Sequence, residues 1–394
     1  MALEACGGQG MDAWRWLDLG RVDGVTMVNV FVAVAGPVGR GASPPTVLVL
    51  HPEAPFANVG FHQEVEREID LDHCRAHGIP VTRRVVGGGA ILDGPWEHDY
   101  MVIVPQGAPG TQEGVEAFYD RYLRPVRATL QRLGVSASRA GVNDLAVNGR
   151  KISANGAMTL DGSWVLVGDI LLDLDVDAMS RVLRVPDEKF RGKLARGMED
   201  WLTSVRRETG KVPSREEVSR MLREELGREF SVELRDGSLS PEEAERLARL
   251  REERSRDAWT FQKDAAHPRF RSRDPSPGGR RVKISRDVYL GRADHKAGKL
   301  LRVTLLSRKE EILEVEISGD FFTLPFDGRI AELERRLVGT RLAPEPLGGV
   351  LDSWLNESKV RLVGISREDL LKTILAAGRD TEGPPASRGP PDPT

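Results

Sequence analysis

The sequence is poor in cysteine, in aromatic residues and in long apolar runs. Among its 394 residues, Cys6 and Cys74 are the two cysteines, and aromatic residues make up 6%. Two cysteines cannot form a disulfide framework or a four-thiolate metal site. No apolar run approaches the roughly 20 residues that a bilayer-spanning helix needs. We therefore expect neither a disulfide-stapled scaffold nor a membrane-spanning protein.

An excess of one charge is also missing. The chain has 57 basic and 60 acidic residues and a net charge of −3, so nucleic acid is not the expected partner. Apolar residues make up 40% and charged residues 30%, as in ordinary globular enzymes. The start of the chain shows no basic segment followed by an apolar core, so we expect a cytoplasmic protein. Its length predicts two or three domains.

Short apolar runs predict strands in the first part of the chain. Residues 14–18, 46–50 and 100–104 have this composition. Residues 25–35 are rich in valine, which favours a strand by propensity alone. We leave this last segment open between strand and helix.

Helices and hairpins are predicted from repeats, caps and turn residues. Apolar residues recur every four positions over 115–133, and a charged amphipathic pattern covers 64–77 before Gly78, so both segments are predicted helices. Asn148-Gly149 and Asp161-Gly162 each separate two apolar stretches, which is typical of hairpin turns with positive φ. Ser240, followed by proline and two glutamates, predicts the start of another helix.

The composition changes after residue 261. Prolines, glycines, arginines and Ser-Pro steps over 262–281 are typical of a linker. The final segment contains five prolines, and we expect it to be disordered. Between them the pattern predicts a hairpin with strands at 301–305 and 313–317, and helices at 330–338, 348–354 and 367–377.

A run of glycines follows a pair of arginines in Arg83-Arg84-Val85-Val86-Gly87-Gly88-Gly89-Ala90-Ile91. Three glycines let a backbone approach a ligand closely and point several N–H groups at an anion. Arg84 is suited to bidentate pairing with a carboxylate or phosphate. An isolated glycine run is more often only a flexible connection, so this segment acquires meaning only in combination.

A second segment combines a polar pair, a tight turn and a lysine. It runs from Asn143-Asp144-Leu145 through Gly149-Arg150-Lys151-Ile152-Ser153-Ala154. The turn at Asn148-Gly149 places Lys151 early in the returning strand. A single lysine in such a place is usually exposed on the surface, and Asn143 and Asp144 alone are typical of a turn or cap.

Together the two segments resemble the lipoate–protein ligase A family, within the biotin/lipoate ligase superfamily. The family carries Arg-Arg-x-Ser-Gly-Gly-Gly-Ala-Val and Asn-Asp-Leu…Gly-Arg-Lys-Ile-Ser-Gly, and the two segments match these motifs. Gly60-Phe61-His62-Gln63 and Leu171-Leu172-Asp173-Leu174-Asp175 are similar to two further family elements. Gly319-Asp320-Phe321-Phe322 resembles the signature of the family's small accessory domain, although its aromatic residues by themselves indicate only a strand end in a core.

The resemblance implies an α+β fold, with a mixed β-sheet flanked by helices of the class II synthetase-like type. A small α/β C-terminal domain would follow, and residues 25–35 would be helical. The implied domains are a flexible N-terminus (1–11), the lipoate ligase catalytic domain (12–261), a linker (262–283), the accessory domain (284–378) and a disordered tail (379–394).

The implied reaction is ATP-dependent and has two steps. Lipoate and Mg²⁺-ATP give lipoyl-AMP, and the lipoyl group then passes to a lysine of a lipoyl carrier domain. This partner would be a glycine-cleavage H-type protein, a 2-oxoacid dehydrogenase E2-type domain or a more specialised carrier. Lys151 would be catalytic, Asn143 and Asp144 would bind nucleotide and Mg²⁺, and no metal would be held by the protein alone. The lipoyl-AMP would contact Arg84, Val86, Gly87, Gly88, Gly89, Ala90, Lys151, Ser153 and Ala154.

The chain departs from the family at four places. Val86 replaces a serine, Asn155 stands where a small residue is common, and Val167-Gly168-Asp169 replaces His-Gly-Thr. Residues 92–98 replace the family's Tyr-His-Asp-x-Gly-Asn pattern. The last stretch partly resembles the loop of octanoyltransferases, with Asp93 in place of a histidine. An acyltransferase on the same fold, which would use a cysteine thioester, and a non-catalytic carrier-binding homologue are therefore the alternative functions.

Overall fold

The computed structural model describes residues 13–184, 191–266 and 282–378. The chain divides into two compact units, Met1–Gln262 and Lys263–Thr394. The predicted N-terminal segment, the tail and most of the predicted linker lie outside the described residues. The first residues of that linker, Gln262–Ala266, are helical.

A six-stranded sheet forms the centre of the first unit. Its strand order is β10-β11-β6-β2-β1-β12. β1 pairs in parallel with β2 and β12, whereas β2, β6, β11 and β10 pair successively in antiparallel fashion. The sheet is mixed, which confirms the predicted α+β class. Its strands are β1 (Ala13–Val22), β2 (Thr46–Pro52), β6 (Glu97–Pro105), β10 (Asn155–Leu160), β11 (Ser163–Leu171) and β12 (Glu233–Asp236).

The valine-rich segment left open by propensity is helical. It forms α1 (Gly24–Met27) and α2 (Val30–Gly39), and α2 is buried from Val30 to Val38. This helix packs against β6 and β11 on one side and α11 (Pro241–Arg254) on another. A helix that is enclosed on all sides has apolar residues on every face. Its composition is then the same as that of a buried strand, so residue propensities do not distinguish a helix from a strand here.

Two predicted long helices are each divided into two shorter ones. Residues 64–77 form α3 (Val65–Glu68) and α4 (Leu71–Ala76), with the Asp70 side chain capping α4 at the N–H of His73. Residues 115–133 form α5 (Val115–Tyr122) and α6 (Arg124–Arg132). Pro125 lies at the start of α6, where its missing N–H is tolerated.

The remaining helices of the first unit follow the central sheet. The helix predicted from Ser240 begins there, and Ser240 and Glu243 form a capping box. The others are α7 (Val176–Val182), α8 (Arg191–Trp201), α9 (Val205–Thr209), α10 (Arg215–Phe230) and α12 (Asp257–Thr260). The short α13 (Gln262–Ala266) begins at the last residue of this unit.

Two small sheets carry the motifs singled out in the sequence. One has the order β4-β3-β5 and leads into the glycine run, and the other has the order β7-β8-β9 and contains Lys151. Asn148 and Gly149 have φ of 50° and 80°, as the predicted turn requires. The strands are β3 (Phe56–Val59), β4 (Val81–Arg83), β5 (Ile91–Asp93), β7 (Ser138–Ala140), β8 (Asp144–Val147) and β9 (Arg150–Ser153).

The second unit has its own sheet and core. Four antiparallel strands, β13 (Val282–Ser285), β14 (Val288–Lys296), β15 (Leu300–Arg308) and β16 (Glu311–Gly319), extend the predicted hairpin by two strands. β17 (Phe322–Leu324) pairs with β18 (Arg361–Val363). The helices are α14 (Ile330–Leu337), α15 (Pro344–Ser358) and α16 (Arg367–Gly378).

The Gly-Asp-Phe-Phe sequence of this unit is structural. Phe321 and Phe322 are buried, and the Asp320 carboxylate accepts the N–H of Leu300. Asp320 also pairs with Lys296 at 3.3 Å. These contacts fit the interpretation of a strand end with core aromatics.

Candidate active site

Lys151 and Asp144 form an ion pair across the hairpin of β8 and β9, called here the lysine hairpin (residues 144–153). The Lys151 ammonium lies 2.8 Å from the Asp144 carboxylate, and their side chains are 36% and 20% exposed. The carbonyl of Lys151 accepts the N–H of Thr203 at 2.8 Å. The strand is therefore held from its far side, while the ammonium keeps access to solvent.

Polar residues around the lysine hairpin hold it to the central sheet. Asn143 is buried, and its amide donates to the carbonyl of Asn155. The Asn155 amide donates to the Ser153 hydroxyl at 3.1 Å, and its oxygen accepts from the Tyr100 hydroxyl. The Ala154 N–H donates to the Asp169 carboxylate at 2.8 Å. Asn143 and Ser153 thus contact protein groups rather than open space.

The glycine segment (Gly87–Gly89) packs against Gly60 and leaves one side open. A Cβ on Gly60 would overlap the carbonyl oxygen of Gly88, whereas one on Gly89 would meet nothing within 4 Å. Gly88 has a φ of 97°, which favours glycine. Val86 before the segment is buried, and its carbonyl accepts the Phe61 N–H at 3.1 Å. Open space thus lies beside Gly89, while Val86 is part of the core.

Arg84 stabilises the glycine segment through hydrogen bonds to its carbonyl groups. Its guanidinium donates to the carbonyls of Gly87 (3.0 Å), Gly89 (2.7 Å) and Asn58 (3.1 Å). Burial lowers the pKa of Arg84 to about 10, against the opposing effect of the nearby Asp93 charge. The guanidinium is therefore engaged with backbone, and it shapes the segment instead of extending a free bidentate group.

Ala90, the last residue of the predicted ligand loop, is partly buried. It packs against an apolar cluster that includes Ala57, Leu92 and Cys74. Its side chain therefore anchors the end of the glycine segment to the core.

Four buried carboxyl groups lie beside these two segments, in what we call the carboxyl cluster. Burial is the main cause that raises the pKa of each; neighbouring carboxylates raise it further in Glu97, Asp99 and Asp169. The pKa of Asp93 is raised to about 6, and that of Asp169 to about 7. Asp93 and Asp169 are therefore the two members whose pKa values lie closest to neutral pH. The members of the cluster are Asp93, Glu97, Asp99 and Asp169, which are 3 to 9% exposed.

The carboxyl cluster connects the glycine segment electrostatically to the lysine hairpin. The Arg84 charge acts on Asp93, the Asp93 charge acts on Asp169, and the Lys151 charge acts on Asp169. Contacts make the same connection: Glu97 accepts the N–H of Gly94, which follows Asp93, and Asp169 accepts the N–H of Ala154. Asp99, two residues after Glu97, lies opposite Asp169 in the sheet. The two motifs, about sixty positions apart in sequence, thus lie at one site.

Sequence reasoning assigned no role to the carboxyl cluster. The signal was present, because Asp93, Glu97 and Asp169 lie in the stretches that depart from the family pattern. Trp201 was also missed. Its side chain is 72% exposed, and it adjoins Leu202, which forms a parallel β-bridge with Lys151. An exposed indole next to the lysine hairpin is a candidate contact for a ligand or partner.

Over the described ranges 13–184, 191–266 and 282–378, no group of three or more His, Cys, Asp or Glu side chains has the geometry to hold a metal ion. None of the helices in these ranges is long and apolar enough to span a bilayer. Of the predicted nucleotide-binding pair, Asp144 has a carboxylate that could contact a divalent cation, whereas the Asn143 amide is engaged with Asn155.

Comparisons with known proteins identify a matching family and similar relatives. The model of the lipoyl protein ligase A/B catalytic domain matches residues 34–227. The octanoyltransferase LipM of Symbiobacterium thermophilum is 31% identical over 197 residues, which is 44% of this chain and 70% of that protein. LipM of Kyrpidia tusciae is 29% identical over 275 residues, 64% of this chain and all of that protein. The lipoate-protein ligase LplJ of Bacillus subtilis is 24% identical over 331 residues, 83% of this chain and 90% of that protein.

Solved structures share the fold. The bi-partite lipoate protein ligase of Thermoplasma acidophilum, reported with its E2 lipoyl domain, matches 64% of this chain and 96% of its own (TM-score 0.56, 23% identity). Lipoate-protein ligase A bound with ATP matches 64% of this chain and 99% of its own (0.55, 20%). P. falciparum LipL1 in complex with lipoate matches 91% of this chain and 99% of its own (0.63, 12%).

A mixed sheet with the glycine segment and the lysine hairpin beside it has the fold of the solved lipoate–protein ligases. The chain belongs to the lipoyl protein ligase A/B family, which comprises lipoate–protein ligases and octanoyltransferases such as those just named. The family predicted from the two motifs is thereby confirmed. At this level the chain is an enzyme of the lipoate ligase/octanoyltransferase family.

Proposed function

We propose that this chain is an ATP-dependent lipoate–protein ligase. It activates lipoate to lipoyl-AMP with release of pyrophosphate, and it transfers the lipoyl group to a lysine of a lipoyl carrier domain. ATP, lipoate and a lipoyl domain as substrates are suggested by what the matched ligases bind. The observation that carries the proposal is a solvent-accessible lysine ammonium at the site, with no reactive thiol among the described residues.

The two candidate functions differ in whether they require a reactive cysteine. Cys74 is the cysteine in the described part of the chain, and it is 1% exposed within an apolar cluster. Burial raises the pKa of its thiol to about 11, so the thiolate that thioester formation needs is scarce at neutral pH. A buried thiol of this kind acts as a small apolar side chain. A reaction through an acyl-adenylate requires no cysteine.

The second unit also supports the ligase. The 331-residue match to LplJ is longer than the first unit of 262 residues, so it includes part of the second unit. The match to the LipM of Kyrpidia tusciae covers 64% of the chain. The match to the ligase therefore extends into the C-terminal unit and covers more of the chain than the match to this octanoyltransferase.

In the adenylation step, this chain would supply charge and backbone donors. The Lys151 ammonium would stabilise the negative charge that develops between the lipoate carboxylate and the α-phosphate. Asp144 would orient that ammonium through their ion pair. Arg84 would keep the glycine segment in shape, so that the open side at Gly89 can receive the bound group. Mg²⁺ would arrive with ATP, and Asp144 would be its protein-side ligand.

The test compares two acyl donors: lipoate with ATP, and an octanoyl-carrier without ATP. Purified protein is incubated with lipoate, ATP and Mg²⁺, pyrophosphate is measured, and candidate lipoyl carriers are then analysed by mass spectrometry. The proposal predicts stoichiometric pyrophosphate release and a lipoyl mass increase on one carrier lysine. Modification from an octanoyl-carrier donor without ATP would instead support the transferase, which is the second candidate because several matched relatives are octanoyltransferases. Binding of a carrier with neither reaction would indicate a non-catalytic homologue.

A further inference from the structure

The adenylation step proposed above makes no use of the carboxyl cluster. Within it, Asp169 is the most exposed member at 9%, compared with 3 to 5% for the other three. Its carboxylate accepts the Ala154 N–H at 2.8 Å, and its own N–H donates to the Ala154 carbonyl at 3.2 Å. These two hydrogen bonds fix Asp169 beside Ala154, the residue that follows Ser153 at the end of the lysine hairpin.

The groups around Asp169 come from four strands. Asp99 on β6 lies opposite Asp169 on β11, so the two side chains share one face of the sheet. The second oxygen of Asp99 is buried without a hydrogen-bond partner. The charged and titratable groups that interact with Asp169 are Asp93 on β5, Glu97, Asp99 and Tyr100 on β6, Asp144 on β8 and Lys151 on β9.

These neighbours act on the Asp169 carboxyl in opposite directions. Burial, followed by the charges of Asp93 and Asp144, raises its pKa to about 7, whereas the Ala154 hydrogen bond and the Lys151 charge lower it. A carboxyl poised near neutral pH is the kind that serves as a general base. Its neighbours are less suited to this role. Asp144 is engaged with Lys151, and Asp99 is more deeply buried.

The proposed second step needs a base. A lysine side chain has a pKa of about 10.4, so at neutral pH its nitrogen is almost entirely protonated and has no lone pair for attack. We propose that Asp169 is a catalytic residue: it removes a proton from the ammonium of the carrier lysine during acyl transfer. This inference rests on the proposed function and extends it to the acceptor.

Acyl transfer forms one N–C bond, breaks one C–O bond and releases two protons. One proton passes from the lysine ammonium to the Asp169 carboxylate, and the freed lone pair forms the N–C bond to the acyl carbonyl. The C–O bond to the phosphate breaks, and its electron pair leaves with AMP. The second proton on the nitrogen passes to water, and Asp169 then releases its own proton to water.

A single-turnover experiment with preformed lipoyl-AMP and a purified lipoyl carrier domain isolates this step. Across the neutral range, the wild-type transfer rate should rise with pH and level off above the pKa of Asp169, about 7. In Asp169→Asn, which keeps an oxygen for the Ala154 N–H, transfer at neutral pH should fall by about 100-fold or more. The residual rate should then rise continuously into the alkaline range, because only free amine reacts. A wild-type rate that rises without levelling would overturn the proposal, even if the variant failed to fold.

Hydroxylamine, used as the acceptor in place of the carrier lysine, distinguishes a general base from a residue that only supports the structure. This nucleophile is neutral at neutral pH, so Asp169→Asn should convert lipoyl-AMP to the hydroxamate at the wild-type rate while it fails with the carrier lysine. Equal losses with both nucleophiles would contradict the proposal. Asp93→Asn is the matched control: because the Asp93 charge raises the pKa of Asp169, its removal should move the levelling point to lower pH with the plateau retained. Absence of pyrophosphate release from ATP and lipoate would refute the proposed ligase function alone, since preformed lipoyl-AMP bypasses that step.

Discussion

Replacement of Lys151 by alanine should separate activity from stability. The backbone contacts of Lys151, its pairing with Ala146 and the bond from the Thr203 N–H, do not depend on its side chain. The variant loses the ion pair to Asp144, in which both side chains keep some exposure, 36% and 20%. Exposed ion pairs contribute about 1 kcal/mol or less. At roughly 2–4 °C per kcal/mol for a unit of this size, Tm should fall by only a few degrees.

The effect on adenylation should be much larger. A preorganised positive donor aimed at developing charge contributes about 3–4 kcal/mol, or roughly 10²–10³ in rate. Lys151→Ala should therefore form lipoyl-AMP at least about 100-fold more slowly, with near-normal thermal unfolding. The assay is pyrophosphate release from lipoate and ATP, with lipoyl-AMP identified by mass spectrometry.

Arg150→Ala is the matched control. Arg150 is adjacent on the same strand and forms a comparable ion pair with Glu208 at 2.9 Å, with side chains 30% and 16% exposed. Its loss should lower Tm by a similar amount and leave adenylation intact. Near-normal lipoyl-AMP formation by Lys151→Ala, or an equal loss in Arg150→Ala, would refute the role assigned to Lys151.

Three further outcomes are expected. Gly60→Ala should lose about 1–3 kcal/mol of stability because its Cβ meets the Gly88 carbonyl. Gly89→Ala places its Cβ in open space and should unfold like the wild type. Equal Tm values in the two variants would contradict this packing. The raised pKa values of Asp93 and Asp169 mean that the folded state holds protons that the unfolded state has lost, so stability should fall as pH rises from about 4 to about 7. Chemical denaturation at several pH values measures this slope, which Asp93→Asn should flatten; an unchanged slope in this variant would count against the carboxyl cluster as its cause. Cys74→Ala should retain ATP-dependent lipoylation of the carrier, whereas a folded but inactive variant would indicate thioester chemistry.

Much of the fold could be predicted from local sequence. The turns at Asn148-Gly149 and Asp161-Gly162 adopt positive φ, and the Ser240 capping box begins a helix, since these features depend on a few neighbouring residues. Predictions that depended on packing were less accurate. Residues 115–133 form two helices, and the hairpin at 301–317 belongs to a four-stranded sheet, because partners distant in sequence decide both outcomes.

For the site, the sequence by itself determined which chemical groups are available: a lysine after a tight turn, three glycines after two arginines, and carboxyl groups where the family has other residues. Only the tertiary structure decided what these groups do. It directs Arg84 onto the glycine carbonyls and buries Asp169 among carboxyl groups contributed by separate strands. The physical reason is that hydrogen-bond partners and pKa values are set by burial and by charges brought close in space, and neither quantity is encoded in the order of neighbouring residues.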